Sequence, residues 1–221
     1  MFVEICYSFF SNPFMKKIYS PDKKAITIII FSIYDDIEVF LFIKFLSLNC
    51  LKNKINMDTL SQLQSELESE YQTTKKFINR FPEGKNEYAP HEKSMKLMPL
   101  ATHVVEIFGW PHTILTTSEL DFAKGAYQPT VLSTREELLK KLDENYESGL
   151  QALQNAQEDD LNPSWTIKND GQELASWSKY GAIRHGLNQI THHRAQMGVY
   201  YRLNDIPLPG SYGPSADQQS F

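Results

Sequence analysis

Residues 57–221 predict an all-α domain, a bundle of four main helices, and three observations carry that expectation. Apolar residues recur at steps of three and four along four separate stretches, the period of a helix with one buried face. Capping residues precede these stretches, and Pro or Gly lies beyond them. No convincing run of alternating apolar and polar residues marks a strand. Helices with one apolar stripe each must bury it against one another, and a bundle does so.

The first helix is carried by Leu60, Leu63, Leu67, Tyr71, Thr74 and Ile78, with Asp58 placed to cap its start and Pro82 just past its end. A polar loop follows through Pro90 and His91. The second helix is expected to begin near Pro99, because a first turn has no use for the missing N–H. Its stripe is Leu100, His103, Val104 and Ile107, and Gly109 and Pro111 should kink or interrupt it. A second helical piece then runs through Ile114 and Leu115.

The third helix has alternative capping boxes at its start, Ser133 with Glu136 or Thr134 with Glu137. Leu138, Leu142, Tyr146, Leu150 and Leu153 form its stripe, and Glu158-Asp159-Asp160 with Pro163 mark the exit. A loop holding Trp165, Asp170 and Gly171 leads to the fourth helix, roughly Ser178 to Leu203. The Pro- and Gly-rich tail from Ile206 cannot extend it.

Residues 1–56 have a different character. They contain no Gly, His, Trp, Arg or Gln, and hold 10 Ile, 11 aromatics and both cysteines. Their charge sums to +2, against −7 for the remainder. A membrane span would pass through Asp35 and Asp36, and a central Asp costs roughly 2.5–3.5 kcal/mol on insertion scales. No small-residue cleavage site follows a clean apolar run, so a signal peptide fits poorly. The residue usage matches AT-rich codons. The expectation is therefore an N-terminal extension of doubtful structure, translated from upstream DNA, with Met57 as the true start. An anchor or a partner-binding arm is the alternative.

The whole-chain charge of −5 argues against a general nucleic-acid binder, which needs a basic face. No phosphate-binding glycine loop or nucleophile elbow is present. Cys6 and Cys50 alone build neither a disulfide framework nor a Cys-based zinc site. The chain reads as cytoplasmic, without a membrane or nucleic-acid partner.

Candidate chemistry sits in the histidines. The fourth helix carries His185, Gln189, His192 and His193. Gln189 and His193 lie one turn apart, a spacing that lets two side chains reach one ion. His185 and His193 are two turns apart, ~12 Å along the axis, too far to share an ion easily. The phase of His103 between Leu100 and Ile107 points it into the bundle, where bundle ligand sites are built. A lone inward histidine is, however, more often a hydrogen-bonded core residue. His192 points ~100° away from His193, and His91 and His112 occupy loop or helix-break positions.

The stretch Asn188-Gln189-Ile190-Thr191-His192-His193-Arg194-Ala195-Gln196 resembles the signature N-H-x-x-H-H-R-x-Q that opens the last helix of DinB-like proteins. The continuation Asn204 to Asp217 resembles the tail of one branch of that family. His91-Glu92-Lys93-Ser94-Met95-Lys96, with Leu100-Ala101-Thr102-His103, is similar to its second-helix entry. The resemblance implies a four-helix bundle of DinB-like type, commonly a homodimer, with a divalent metal held by three histidines. His103 and His193 match two of them, and Gln189 stands where the third would be.

A Gln carbonyl oxygen is harder than imidazole and a poorer partner for zinc or nickel. Three readings follow: Gln189 ligates weakly through oxygen, it orients a bound water, or the site is degenerate and Gln189 hydrogen-bonds the histidines. The resemblance implies a metal-dependent transferase that joins a low-molecular-weight thiol to small electrophiles. The competing reading is a non-catalytic dimeric bundle whose metal site is a relic. Tyr200 is a weak candidate for a polar role in the pocket, with core packing as its ordinary role.

Overall fold

The computed structural model describes residues 58–124 and 130–219, so the expectations for residues 1–56 lie outside the described residues. Four long or composite helices make the bundle. α1 spans Thr59–Ile78, and the Asp58 carboxylate accepts from the Ser61 N–H at 3.1 Å. All six residues of its expected stripe are buried. α2 spans Leu97–Ile107 and α3 spans Trp110–Thr116. α2 starts two residues before Pro99, which sits in the first turn, where its lack of an N–H costs no helical bond. The expected interruption falls at Phe108 and Gly109, and Pro111 opens α3.

α4 spans Arg135–Asn155, and the structure selects one of the two capping boxes. Thr134 Oγ1 accepts from Glu137 N, and the Glu137 carboxylate accepts from the N–H groups of Thr134 and Ser133. α5 spans Lys179–Arg202, capped by Ser178. α1 and α2 each pack on both α4 and α5, so the core lies where the four stripes meet. At Gly149 of α4 the backbone of the α2–α3 junction comes so close that a methyl group would run into the Phe108 carbonyl oxygen.

The expectation of no strands is corrected. A three-stranded sheet packs beside the bundle: β1 Glu119–Asp121, β2 Ser164–Asn169 and β3 Gln172–Ser178, in the order β1-β2-β3. β1 runs parallel to β2, and β2 and β3 form a hairpin that pairs Trp165 with Trp177. The loop assigned to Asp170 and Gly171 is its turn, with φ of 52° and 76°. Two positive φ values in succession suit the Asp-Gly pair and match the twist of a hairpin. The buried Asp121 carboxylate accepts from the N–H groups of Asp170 and Gly171 at 3.0 and 2.9 Å, fixing the turn to β1. Trp165 is buried and donates its indole N–H to Thr117 Oγ1 at 2.9 Å, anchoring the hairpin to the end of α3.

Beyond α5 the tail folds back over α1. The Arg80 guanidinium donates to the Pro207 carbonyl at 2.7 Å, and Tyr212 reaches Glu70. Among the described residues no helix is long and apolar enough to cross a membrane.

Candidate metal centre

α2 and α5 pack against each other, and their phases bring His103 and His193 together. The ring centroids are 4.8 Å apart at an interplanar angle of 74°. On its other side His103 meets the edge of Trp110, 6.2 Å between centroids. Both histidines are half-buried. Among the described residues, no group hydrogen-bonds to either ring nitrogen of His103.

His193 is held from outside. Its Nδ1 lies 2.9 Å from Gln196 Oε1, which can only accept, so Nδ1 carries the proton. The lone pair of neutral His193 is therefore on Nε2, the nitrogen that no described residue engages. The same Gln196 donates from Nε2 to His192 Nε2 at 3.1 Å, so one exposed amide holds two adjacent histidines. Metal-ligating histidines are commonly oriented in this way by a carbonyl on the far nitrogen.

The electrostatics keep both rings neutral. Burial lowers the His103 pKa, the neighbouring His193 lowers it further, and Glu106 partly offsets this. Burial also lowers that of His193, the Gln196 hydrogen bond works against it, and His192 adds to the lowering. A neutral imidazole is the form that ligates a metal.

The third residue of the expected set is placed differently. The Gln189 amide reaches back one turn to His185, Nε2 to Nε2 at 3.3 Å, and bonds neither His103 nor His193. His185 stacks on Trp177 of β3, with centroids 4.9 Å apart and planes 21° apart. Among the described residues no group of three His, Cys, Asp or Glu side chains is arranged to hold a metal ion. The donors that the structure brings together are the two imidazoles of His103 and His193, with Gln189 turned toward His185. Two imidazoles are one nitrogen short of a three-histidine site.

The remaining histidines stay outside. His91 is exposed and accepts from the Lys93 N–H at 3.1 Å, and His112 is exposed on α3. Tyr200 donates to the Met95 carbonyl at 3.0 Å and packs against Tyr88, a core role. A separate cavity of about 330 Å³ lies between α2, α3, α4 and the sheet. Trp110 lines it while also contacting His103; His103 and His193 are not among its lining.

Sequence reasoning missed a second polar cluster, one residue along α5. Arg194 is 2 % exposed and Glu70 is 5 % exposed. Arg194 Nη1 donates to Glu70 Oε2 at 2.6 Å and to Thr74 Oγ1 at 3.0 Å. Its Nη2 donates to Tyr212 Oη at 2.8 Å, and the Tyr212 hydroxyl donates to Glu70 Oε1 at 2.6 Å. The signal was present: Glu70 lies three residues after Leu67, and Arg194 lies between Ile190 and Met197. Each is a charge on a buried stripe, and such charges need partners.

A model of the DinB family matches residues 52–218. Three solved structures share the fold. A DinB-like protein from Bacillus subtilis is 18% identical, with a TM-score of 0.54, covering 72% of this chain and 99% of that one. A DinB-family member from Exiguobacterium sibiricum is 17% identical, with a TM-score of 0.51 over 69% and 97%. A DinB-like protein from Bacillus cereus is 15% identical, with a TM-score of 0.53 over 67% and 94%. Among curated proteins none matches significantly.

Proposed function

The chain belongs to the DinB family, and from that premise we propose that it binds a divalent metal weakly through His103, His193 and Gln189. One observation carries the reading: two imidazoles meet edge to face at 4.8 Å between centroids, and no described residue hydrogen-bonds either nitrogen of His103 or Nε2 of His193. A structural histidine in a half-buried place normally has a hydrogen-bond partner. Zinc and nickel are among the ions that imidazole donors suit.

The activity that goes with such a site is transfer of a low-molecular-weight thiol to a small electrophile. A bound divalent ion with an open position would lower the pKa of a thiol. The chain's own contribution is to hold two lone pairs in place. Gln196 fixes the His193 tautomer, and Trp110 walls His103 on its other side. Residues 57–221 contain no cysteine, so the nucleophile would come from the cosubstrate.

The second reading is a non-catalytic bundle with a relic site, and the turning of Gln189 toward His185 favours it. In both readings the domain pairs with itself as a homodimer, which light scattering at micromolar concentration checks. Elemental analysis and thiol-dependent turnover of the full chain separate the two. Stoichiometric metal with turnover supports the transferase, and negligible metal with no turnover supports the relic.

A further inference from the structure

We infer that the cavity between α2, α3, α4 and the sheet is a binding site for a small aromatic molecule ended by one anionic group, whose charge Lys141 receives. The inference goes beyond the metal reading and does not depend on it, since His103 and His193 do not line this cavity.

The cavity has two unlike walls. One is apolar: Trp110 and Ile114 of α3 line it, with Leu120 of β1 and Trp165 and Ile167 of β2. The polar edge of Trp165 is already satisfied, because its indole N–H donates to Thr117 Oγ1. The other wall is polar. Lys141, Asn145 and Ser148 lie at i, i+4 and i+7 of α4, one helical face beside the buried stripe of Leu138 and Leu142. A volume of about 330 Å³ holds one small ring system with a short side chain. Apolar walls with a few convergent polar groups are how small-molecule sites are built.

The break between α2 and α3 fixes Asn145. The Gly109 N–H turns to the Glu106 carbonyl at 3.0 Å, which leaves the Val105 carbonyl without its helical donor. Asn145 Nδ2 donates to that carbonyl at 2.9 Å. Glycine suits the approach, because a methyl group at Gly109 would crowd Asn145 Oδ1 at 3.3 Å. Asn145 Oδ1 and the second amide N–H have no partner among the described residues, and neither has the Ser148 hydroxyl.

Charge selects the end group. Among the described lining residues Glu106 is the one acid and Lys141 the one lysine or arginine. Glu106 is engaged: its Oε1 accepts from the Thr130 N–H at 2.8 Å, and its charge is felt at His103. The Lys141 Nζ lies 3.8 Å from Glu144, beyond hydrogen-bond reach, and both side chains are partly exposed, which makes such a pair weak. A half-buried ammonium bordering an apolar cavity suits an anion that brings its own apolar body. Asn145 and Ser148 add N–H and O–H donors along the same wall.

The test uses the full chain with a chelator present, so that no metal takes part. Three probes of one shape are titrated by calorimetry: phenylpropionate, its neutral amide phenylpropionamide, and the cationic phenylpropylamine. The carboxylate should bind about tenfold tighter than the amide, the scale of a hydrogen bond to a charged group, and the amine should bind weakest. Lys141→Met keeps an apolar stem and removes the charge, and circular dichroism verifies its fold. It should erase the preference for the carboxylate and leave the affinity of the amide as it was. Indole N–H signals in NMR spectra report the place: those of Trp110 and Trp165 should shift with the probe, and that of Trp177, outside the lining, should stay still. Equal binding of carboxylate and amide, a preference that survives Lys141→Met, or shifts confined to Trp177 would overturn the inference. Tightest binding by the amine would overturn it too, because the cavity would then answer to Glu106, and so would an absence of binding by all three probes.

Discussion

His193 and Arg194 are neighbours on one helix, yet they belong to polar clusters of opposite kinds. Around Arg194, the donors and acceptors of Glu70, Thr74, Thr191 and Tyr212 meet one another, and the charges are buried. Around His193, the rings are half-buried and their inward nitrogens have no protein partner among the described residues. A saturated network of buried charges specifies how α1, α5 and the tail fit together. An unsaturated pair of neutral imidazoles does little for folding and is available to a ligand. The contrast separates what the helix contributes to structure from what it offers to chemistry, and variants on each side should behave differently.

The largest effect belongs to the saturated side. Arg194→Ala should destabilise the domain by about 3–5 kcal/mol, because it leaves the Glu70 carboxylate buried without its cation. Chemical denaturation measures this. Replacing Arg194 and Glu70 together by Met and Leu should recover much of the loss, since paired removal strands no charge. A loss below ~1 kcal/mol for Arg194→Ala would break the comparison from this side.

Tyr212→Phe should cost about 1.5 kcal/mol at neutral pH, removing hydrogen bonds to two charged groups. Burial pushes the Tyr212 phenol up from its ordinary pKa; the Glu70 hydrogen bond pushes it the same way, and Thr191 and Arg194 partly offset both. A folded pKa above the unfolded one means stability that is fully present below about pH 10 and is lost as pH rises through the folded value. The gap between parent and Tyr212→Phe should thus be constant up to about pH 10 and narrow above it. Denaturation midpoints at a series of alkaline pH values check the sign.

On the unsaturated side the effects appear in metal affinity and not in folding. Gln189→His should tighten zinc or nickel by about tenfold, ~1.4 kcal/mol, because nitrogen suits those ions better than amide oxygen. Unaltered, negligible binding would leave Gln189 as a hydrogen-bonding residue of a relic. The smallest change is in the stability of metal-free His103→Phe, expected within ~0.5 kcal/mol of the parent. A much larger loss would show that His103 holds the bundle together after all.

The helices were legible because burial decides them. Leu60, Leu63 and Leu67, or Leu138 and Leu142, sit at the helical period and are all buried. The sheet was not, because β3 is exposed or half-exposed along its whole length and the alternations Trp165-Thr166-Ile167-Lys168 and Ala175-Ser176-Trp177-Ser178 are only four residues long. Between them lies Asp170-Gly171, a hairpin turn pair that can also be read as a loop. Helical phase pointed His103 into the bundle, and the family resemblance joined it to His193. The direction taken by Gln189 was not legible, because it depends on His185 and, through it, on Trp177 of the hairpin. Period and phase predict which face a side chain shares, while the choice of hydrogen-bond partner is set by elements distant in sequence.

The central claim, that the facing imidazoles are a ligand pair, is tested most directly by zinc titration of the full chain against a chromogenic chelator. The parent, Gln189→His, His103→Ala and the combined variant should be titrated together. The account predicts one equivalent bound by the first two, tighter in Gln189→His, and none when His103 is replaced. Negligible binding in both the parent and Gln189→His, or binding that survives His103→Ala, would contradict it.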